Sequence, residues 1–210
     1  MGDLPWKSIV VSTLTALVAV TLPAVLVIFD IAVFDLDCDE RGVVEVAQAL
    51  MLLTIFALMT VAAFRRPDLR GGLVLIAGFF LDMLIRENDG FLDRIRHGCW
   101  VYPALLAAAI AILIAVRYRD RVIPAFARLF ADRSFPLLPV GMFVVIGFSR
   151  IFGMKQIWKA VVGVDDFRPA KHVAEEGLEL LGYSILLLWA VGFFRALSAD
   201  GAKSRSGGAE

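Results

Sequence analysis

The amino-acid sequence predicts an all-α protein, a polytopic membrane helix bundle of about six transmembrane helices with one or two interfacial amphipathic helices. Its 210 residues are 60% hydrophobic and 20% charged, the mean hydropathy is +0.79, and the apolar residues come in long blocks. A water-soluble fold of this length could not shield so much apolar surface. Disordered chains and disulfide-rich secreted domains are excluded by the same composition. Because 21 basic and 21 acidic residues balance, no overall field favours a nucleic acid.

The spans follow from the thickness of the bilayer core, since crossing about 30 Å takes about 20 apolar residues in a helix. Six segments approach this length: Ser8–Phe29, Val43–Phe64, Gly71–Ile85, Gly98–Val116, Phe135–Ser149 and Val173–Leu197. The third and fifth are short and need flanking residues to reach both interfaces. The first exceeds the apolar core of a signal peptide and follows a single basic residue, so we expect an uncleaved span.

Two further segments, Arg121–Phe130 and Lys155–Val162, mix charge with Phe, Trp and Val, which is typical of helices lying in the membrane interface. We predict one transmembrane domain over residues 1–197 and a disordered cytoplasmic tail over residues 198–210, because that tail is small and polar. The loops RRPDLR and RYRDR are basic, whereas DIAVFDLDCDE is acidic. The positive-inside rule then places both termini in the cytoplasm.

This orientation gathers polar side chains at the outer ends of three spans. Glu45 lies near the outer end of the second span, and Asp82 and Arg86 on the third are four residues apart, close enough to pair. One helical face of the last span carries four more: His172, Glu176, Glu179 and Tyr183. A carboxylate as deep as that of Glu179 normally faces a bundle interior or a cavity. We therefore predict an outward-facing polar cavity lined by these residues.

Structural explanations stay open for the same residues. Asp82 and Arg86 would serve equally well as an ion pair that fixes helix packing. Glu45 would be wetted by water near the interface. Glu175 and Glu176 suit the positively charged N-terminal end of a helix dipole, an explanation that fits Glu179 poorly.

A metal site is a second use for some of these side chains. His97, His172 and Glu176 are ligand types that zinc uses, and the last two share a helical face. The HExxH pattern is absent, and a single histidine hydrogen-bonded to a carboxylate explains each His at least as well. We expect no cofactor, with zinc as the alternative. Cys38 and Cys99 both lie on the outer side, where a disulfide and two unrelated thiols are equally consistent with the sequence.

Three stretches carry a resemblance: IRENDGFLDRIRHGCW (Ile85–Trp100), RIFGMKQIWKAVVG (Arg150–Gly163) and EEGLELLGY (Glu175–Tyr183). Together they resemble an uncharacterised family of small bacterial multi-span inner-membrane proteins over roughly the second half of the chain. This resemblance implies a bacterial inner membrane and no particular activity. The chain is more loosely similar to the alkaline ceramidase-like intramembrane hydrolases, which implies zinc-site roles for Asp82 and His172. The HxxxH pair of those hydrolases corresponds here to His172 and Glu176.

The leading functional hypothesis is a membrane protein whose polar cavity binds or translocates a small solute, ion or proton. One alternative is a zinc-dependent intramembrane lipid hydrolase, in which metal activates water and Glu175 acts as general base. Another is a non-catalytic accessory protein whose charged outer face docks a partner protein. The expected partners are the lipid bilayer and the transported species, with no nucleic acid.

Overall fold

The computed structural model describes residues 6–34, 42–93, 96–162 and 167–206, and every regular element within these ranges is helical. The α-helices are α1 (Trp6–Phe34), α2 (Val43–Arg65), α3 (Arg70–Glu87), α4 (Asp89–Asp93), α5 (Val101–Arg117), α6 (Val122–Phe130), α7 (Leu137–Phe143), α8 (Ser149–Phe152), α9 (Lys155–Val162) and α10 (Phe167–Ser206). A π-helical segment, Val144–Phe148, joins α7 to α8. The predicted all-α class is confirmed.

Within the described residues, three helices are long and apolar enough to cross a membrane: Thr13–Ala32, Val43–Arg65 and Phe167–Gly201. The number is five if each of two bent helix pairs counts as one span. These helices fit a protein embedded in a lipid bilayer. The predicted third span, α3, is a helix with nearly the predicted bounds, but its eighteen residues include four charged ones, Arg70, Asp82, Arg86 and Glu87. The predicted number of six spans therefore stays a prediction, since the described residues contain three to five candidates.

The two bends coincide with the starts of the predicted interfacial helices. The helical segment Arg119–Phe130 leaves α5 at 92°, and α9 leaves the α7–α8 segment at 50°. Tyr118 causes the first bend, because its backbone departs from helical values and ends α5. The bounds of α9 are those predicted from the sequence. A helix that turns sharply at the end of an apolar helix is well placed to lie along a membrane surface.

The helix that carries Asp82 and Arg86 ends directly after them. α3 ends at Glu87, and the side-chain amide of Asn88 donates to the carbonyl oxygen of Leu84 at 2.8 Å. This local bond competes with helix continuation, as Asn side chains commonly do.

The fold consists of two compact units. The first contains residues 1–47 and 140–188, and the second contains residues 48–139 and 189–210. The helix α10 continues past the predicted end at Leu197 as far as Ser206. The part of the predicted disordered tail that the structure describes is therefore helical, and residues 207–210 lie outside the described ranges.

In the first unit, two glycines allow α10 to pack closely on the α7–α8 segment. A Cβ atom on Gly141 would lie 2.8 Å from Cγ of Leu186, and one on Gly182 would collide with Val145. Small residues at helix contacts let backbones approach each other in membrane proteins. This close approach brings the end of the π-helical segment against the middle of α10, where the candidate site lies.

In the second unit, glycines of α3 likewise allow close packing against α5 and α6. A Cβ atom on Gly78 would lie 2.5 Å from Cβ of Ala111, and one on Gly72 would lie 2.5 Å from Cβ of Ala125. Stacked rings fill the core: Trp189 stacks on Phe80 with 5.7 Å between ring centroids. Close helix contacts and aromatic packing thus hold this unit together.

A candidate ion-pair site on the last helix

Among the described charged residues of the first unit, Glu179 of α10 is the most deeply buried, with a side chain that is 6% exposed. A guanidinium nitrogen of Arg150 lies 2.9 Å from Oε1 of Glu179. Oγ of Ser149 lies 3.2 Å from the same oxygen. Ser149 and Arg150 open α8, directly after the π-helical segment, and both meet α10 because the two helical segments pack closely. A carboxylate, a guanidinium and a hydroxyl therefore converge inside a helix pair.

A second carboxylate extends this group toward the start of α10. Arg150 also lies 3.4 Å from Oε1 of Glu175, and Nζ of Lys171 lies 2.5 Å from Oε2 of Glu175. We call these five residues, Ser149, Arg150, Lys171, Glu175 and Glu179, the Glu179 cluster. It contains two carboxylates and two cations, so its formal charges balance. The side chain of Arg150 is 45% exposed, which makes it the most exposed member of the cluster.

Ser149 has two neighbouring acceptors for one hydroxyl proton. Its Oγ lies within hydrogen-bond distance of both the carbonyl oxygen of Val145 and Oε1 of Glu179. A serine hydroxyl carries one donor and two acceptor lone pairs. The residue is fully buried, so its hydroxyl has no contact with solvent as an alternative to these two acceptors. π-Helical turns often occur at functional positions in helices, and here such a turn immediately precedes the cluster.

The predicted face of α10 is present in the structure. His172 and Glu176 lie on it with 4.0 Å between Nδ1 and Oε1, and Tyr183, one turn past Glu179, is fully buried. Glu45, in the first turn of α2, belongs to the same unit and is half-buried. Ser149 and Arg150 were not predicted as site residues, although a charged residue at the end of an apolar segment was a usable signal.

The predicted pair of Asp82 and Arg86 is wrong. Among the described residues neither forms a salt bridge, and Oδ1 of Asp82 is buried without a hydrogen-bond partner. Arg86 is exposed instead. Both line a cavity of about 410 Å³ in the second unit, together with Trp100 of the α3–α5 connection. Because Asp82 and Glu179 lie in different units, their predicted convergence stays a prediction.

The residues that the sequence offered for zinc do not form a metal site in the part of the chain that the structure describes. There, no group of three His, Cys, Asp or Glu side chains is arranged to hold an ion. His97 is fully exposed and pairs with Asp93 at 2.9 Å. The alternative of single histidines beside carboxylates describes this arrangement better. Cys99 is a free thiol, and its predicted disulfide partner Cys38 lies outside the described residues.

The geometry of the Glu179 cluster is the basis for any functional conclusion about this chain. No protein-family model, curated protein or solved structure matches the chain.

Proposed function

We propose that this chain is a multi-pass protein of the bacterial inner membrane, with both termini in the cytoplasm, whose polar site around Glu179 binds or translocates a proton, another small cation or a small solute. One observation carries the proposal. Glu179 is buried on a helix long and apolar enough to cross a membrane, and it contacts Arg150 and Ser149. Ionisable side chains in such helices are costly and are typical of proton relays and ion pathways.

The charges of the Glu179 cluster suit reversible binding of a cation. Arg150 contacts both Glu179 and Glu175, so it keeps a carboxylate partner when the charge on Glu179 is neutralised. Lys171 stays beside Glu175 at the same time. A proton or a small cation can therefore take the place of the guanidinium at Glu179 while Arg150 and Lys171 both stay in contact with Glu175. The cluster then carries one net positive charge, which favours release of the bound cation.

Ser149 gives both charge states of Glu179 a hydrogen bond. When Glu179 is ionised, the hydroxyl of Ser149 donates to the carboxylate. When Glu179 is protonated, its own O–H donates a hydrogen bond to Oγ of Ser149. The hydroxyl of Ser149 then donates its hydrogen bond to the carbonyl oxygen of Val145. A group that is hydrogen-bonded in both states avoids the penalty of a buried unsatisfied polar atom in either.

The other two hypotheses have less support. A zinc-dependent lipid hydrolase needs about three protein ligands, and the described residues contain no such group. A docking surface for a partner protein would use exposed side chains, which does not explain why Glu179 is buried.

The experiment is proton flux into liposomes that contain the purified protein and an internal pH-sensitive dye, driven by a potassium diffusion potential. We expect Glu179→Gln to reduce the flux of the wild-type protein by about tenfold or more. Glu176→Gln is the matched control, because this carboxylate of the same helix lies beside His172 and is not a member of the Glu179 cluster, and it should retain most of the flux. The flux of both variants is compared only after size-exclusion chromatography shows that they are folded and monodisperse.

Two results would contradict the proposal. A wild-type flux equal to that of empty liposomes would end the case for proton translocation. Full flux in Glu179→Gln would show that this carboxylate has no part in it.

A further inference from the structure

In the second unit, three guanidinium groups surround one aromatic ring. The ring centroid of Tyr118 lies 5.4 Å from Cζ of Arg70, 5.7 Å from that of Arg117 and 5.1 Å from that of Arg121. These residues, the Tyr118 cluster, lie where α3 begins and α5 ends. Cation–π contact with the ring accounts for part of the attraction, but three like charges gathered at one ring repel one another.

The carboxylates nearby in the sequence neutralise this charge only in part, since Asp68 interacts with Arg121 at a distance beyond that of a salt bridge. Asp68 forms its salt bridge with Arg66 at 2.7 Å. Asp120 is exposed, and among the described residues none of the three arginines of the Tyr118 cluster has a carboxylate within salt-bridge distance. The cluster therefore presents a concentrated positive charge suited to an anion with several acceptor oxygens.

An apolar groove leads directly to these arginines. A cavity of about 640 Å³ runs between α2, α3 and α5, and Arg70 and Tyr118 are part of its wall. Apart from these two and Thr60, the described side chains that line it are apolar, Phe56 and Ile110 among them. The volume lies within the range of about 300 to 1,000 Å³ typical of small-molecule sites. A ligand that fills it would carry an apolar chain and an anionic end.

We propose that the groove and the Tyr118 cluster form a binding site for an anionic phospholipid, with an acyl chain in the groove and the phosphate between the arginines. The apolar groove leads to the arginines, just as the acyl chain of such a lipid leads to its phosphate. Free phosphate would leave the groove empty, and a zwitterionic headgroup would bring an amine that finds no carboxylate partner in the cluster. Basic pockets between membrane helices bind anionic headgroups by the same chemistry.

The test is binding of phosphatidylglycerol and of phosphatidylcholine with identical acyl chains to the delipidated, detergent-purified full-length chain. Native mass spectrometry measures the bound fraction, and the thermal unfolding midpoint gives a second readout. We expect phosphatidylglycerol to bind and raise the midpoint more than phosphatidylcholine. Arg117→Gln and Arg121→Gln should each weaken phosphatidylglycerol binding by about fivefold. Arg119→Gln is the matched control, since that exposed neighbour makes no contact with the ring, and it should weaken binding less.

The groove is tested separately with a pair of alanines on α5. Ala107 lines the groove, and Ala109 is exposed outside it, so Ala107→Trp should lower lipid binding while Ala109→Trp should not. Circular dichroism checks that both variants are folded, and the arginine variants keep the proposal testable if one is not. Equal binding of the two lipids, unchanged binding in Arg117→Gln and Arg121→Gln, or unchanged binding in folded Ala107→Trp would overturn the proposal. An equal rise of the midpoint with inorganic phosphate would overturn it as well.

Discussion

Glu179 in the first unit and Asp132 in the second are equally buried carboxylates with very different partners. Each side chain is 6% exposed. Asp132 accepts hydrogen bonds from the backbone N–H of Ser134 at 2.9 Å and from its hydroxyl at 2.6 Å. Arg128 adds a salt bridge at 3.1 Å. The two bonds from Ser134 come from a residue two positions along the chain, so local backbone geometry holds them in place.

The partners of Glu179 come from another helical segment and serve other groups as well. Arg150 is shared with Glu175, and the hydroxyl of Ser149 is shared with the carbonyl oxygen of Val145. A shared donor can change acceptor without breaking the backbone structure. Asp132 differs because one of its donors is the backbone N–H of Ser134, which stays in place even though Arg128 and the hydroxyl of Ser134 have other acceptors as well. Burial of a carboxylate therefore does not by itself indicate a functional site, because the freedom of its partners matters as much.

The pKa of Asp132 shows what fixed donors do. Burial acts to raise it, but the hydrogen bonds from Ser134 and the ion pair with Arg128 outweigh burial and lower the pKa below its ordinary value. Arg128 also contacts Asp200 at 2.9 Å, so this ionised carboxylate helps to hold the end of α10 within the second unit. Its role is structural.

The largest expected effect tests the pairing of Glu179. Arg150→Ala removes the guanidinium that two carboxylates share, and Glu179 is left charged and buried. Breaking a fully buried pair costs about 3–5 kcal/mol. Because Arg150 is 45% exposed, we expect a smaller loss of about 2–3 kcal/mol in the free energy of unfolding, measured by SDS titration in mixed micelles.

A second variant separates lost charge pairing from lost packing. Arg150→Ala combined with Glu179→Gln should be more stable than Arg150→Ala alone, because no buried charge is left without its partner. If the double variant were the less stable of the two, the guanidinium would act mainly through packing, and the contrast with Asp132 would fail.

An intermediate effect tests the fixed donors of Asp132. Asp132→Asn removes the charge that pairs with Arg128, and we expect a loss of about 1–2 kcal/mol near neutral pH. Since the folded-state pKa of Asp132 is lowered, its contribution is complete above the ordinary Asp value of about 3.9 and is lost as the pH falls through the lower folded value. The difference between the wild-type protein and the variant, measured by thermal unfolding in detergent, should therefore shrink toward pH 3. A difference that stayed constant down to that pH would show that the charge is unimportant.

The smallest effect compares two serines. Ser134→Ala removes the hydroxyl that donates a hydrogen bond to the buried carboxylate of Asp132. It should lower the free energy of unfolding by about 1 kcal/mol. Ser149→Ala should lower it less, because Arg150 still pairs with Glu179, but it should slow proton flux by removing the second hydrogen-bonded state. Equal stability losses together with unchanged flux in Ser149→Ala would erase the distinction between the two carboxylates.

Much of the helical architecture was predictable because apolar runs and amphipathic patterns are local properties. The segments predicted as the second span and as two interfacial helices are helical close to their predicted bounds, and the face from His172 to Tyr183 follows from helical periodicity alone. Pairing was harder to predict. Asp82 and Arg86 have the spacing of a helical ion pair, yet they do not pair, because Arg86 is exposed while an oxygen of Asp82 is buried.

By itself, the sequence determined that the chain is helical and apolar enough for a membrane, and that Glu179 would be a carboxylate deep in a long apolar helix, since hydropathy and periodicity depend on nearby residues. Only the tertiary structure decided that Arg150 and Ser149 are its partners and that Arg70 and Tyr118 close an apolar groove. Those contacts join residues far apart in the chain. They exist because glycines let the helices approach closely enough for the side chains to meet.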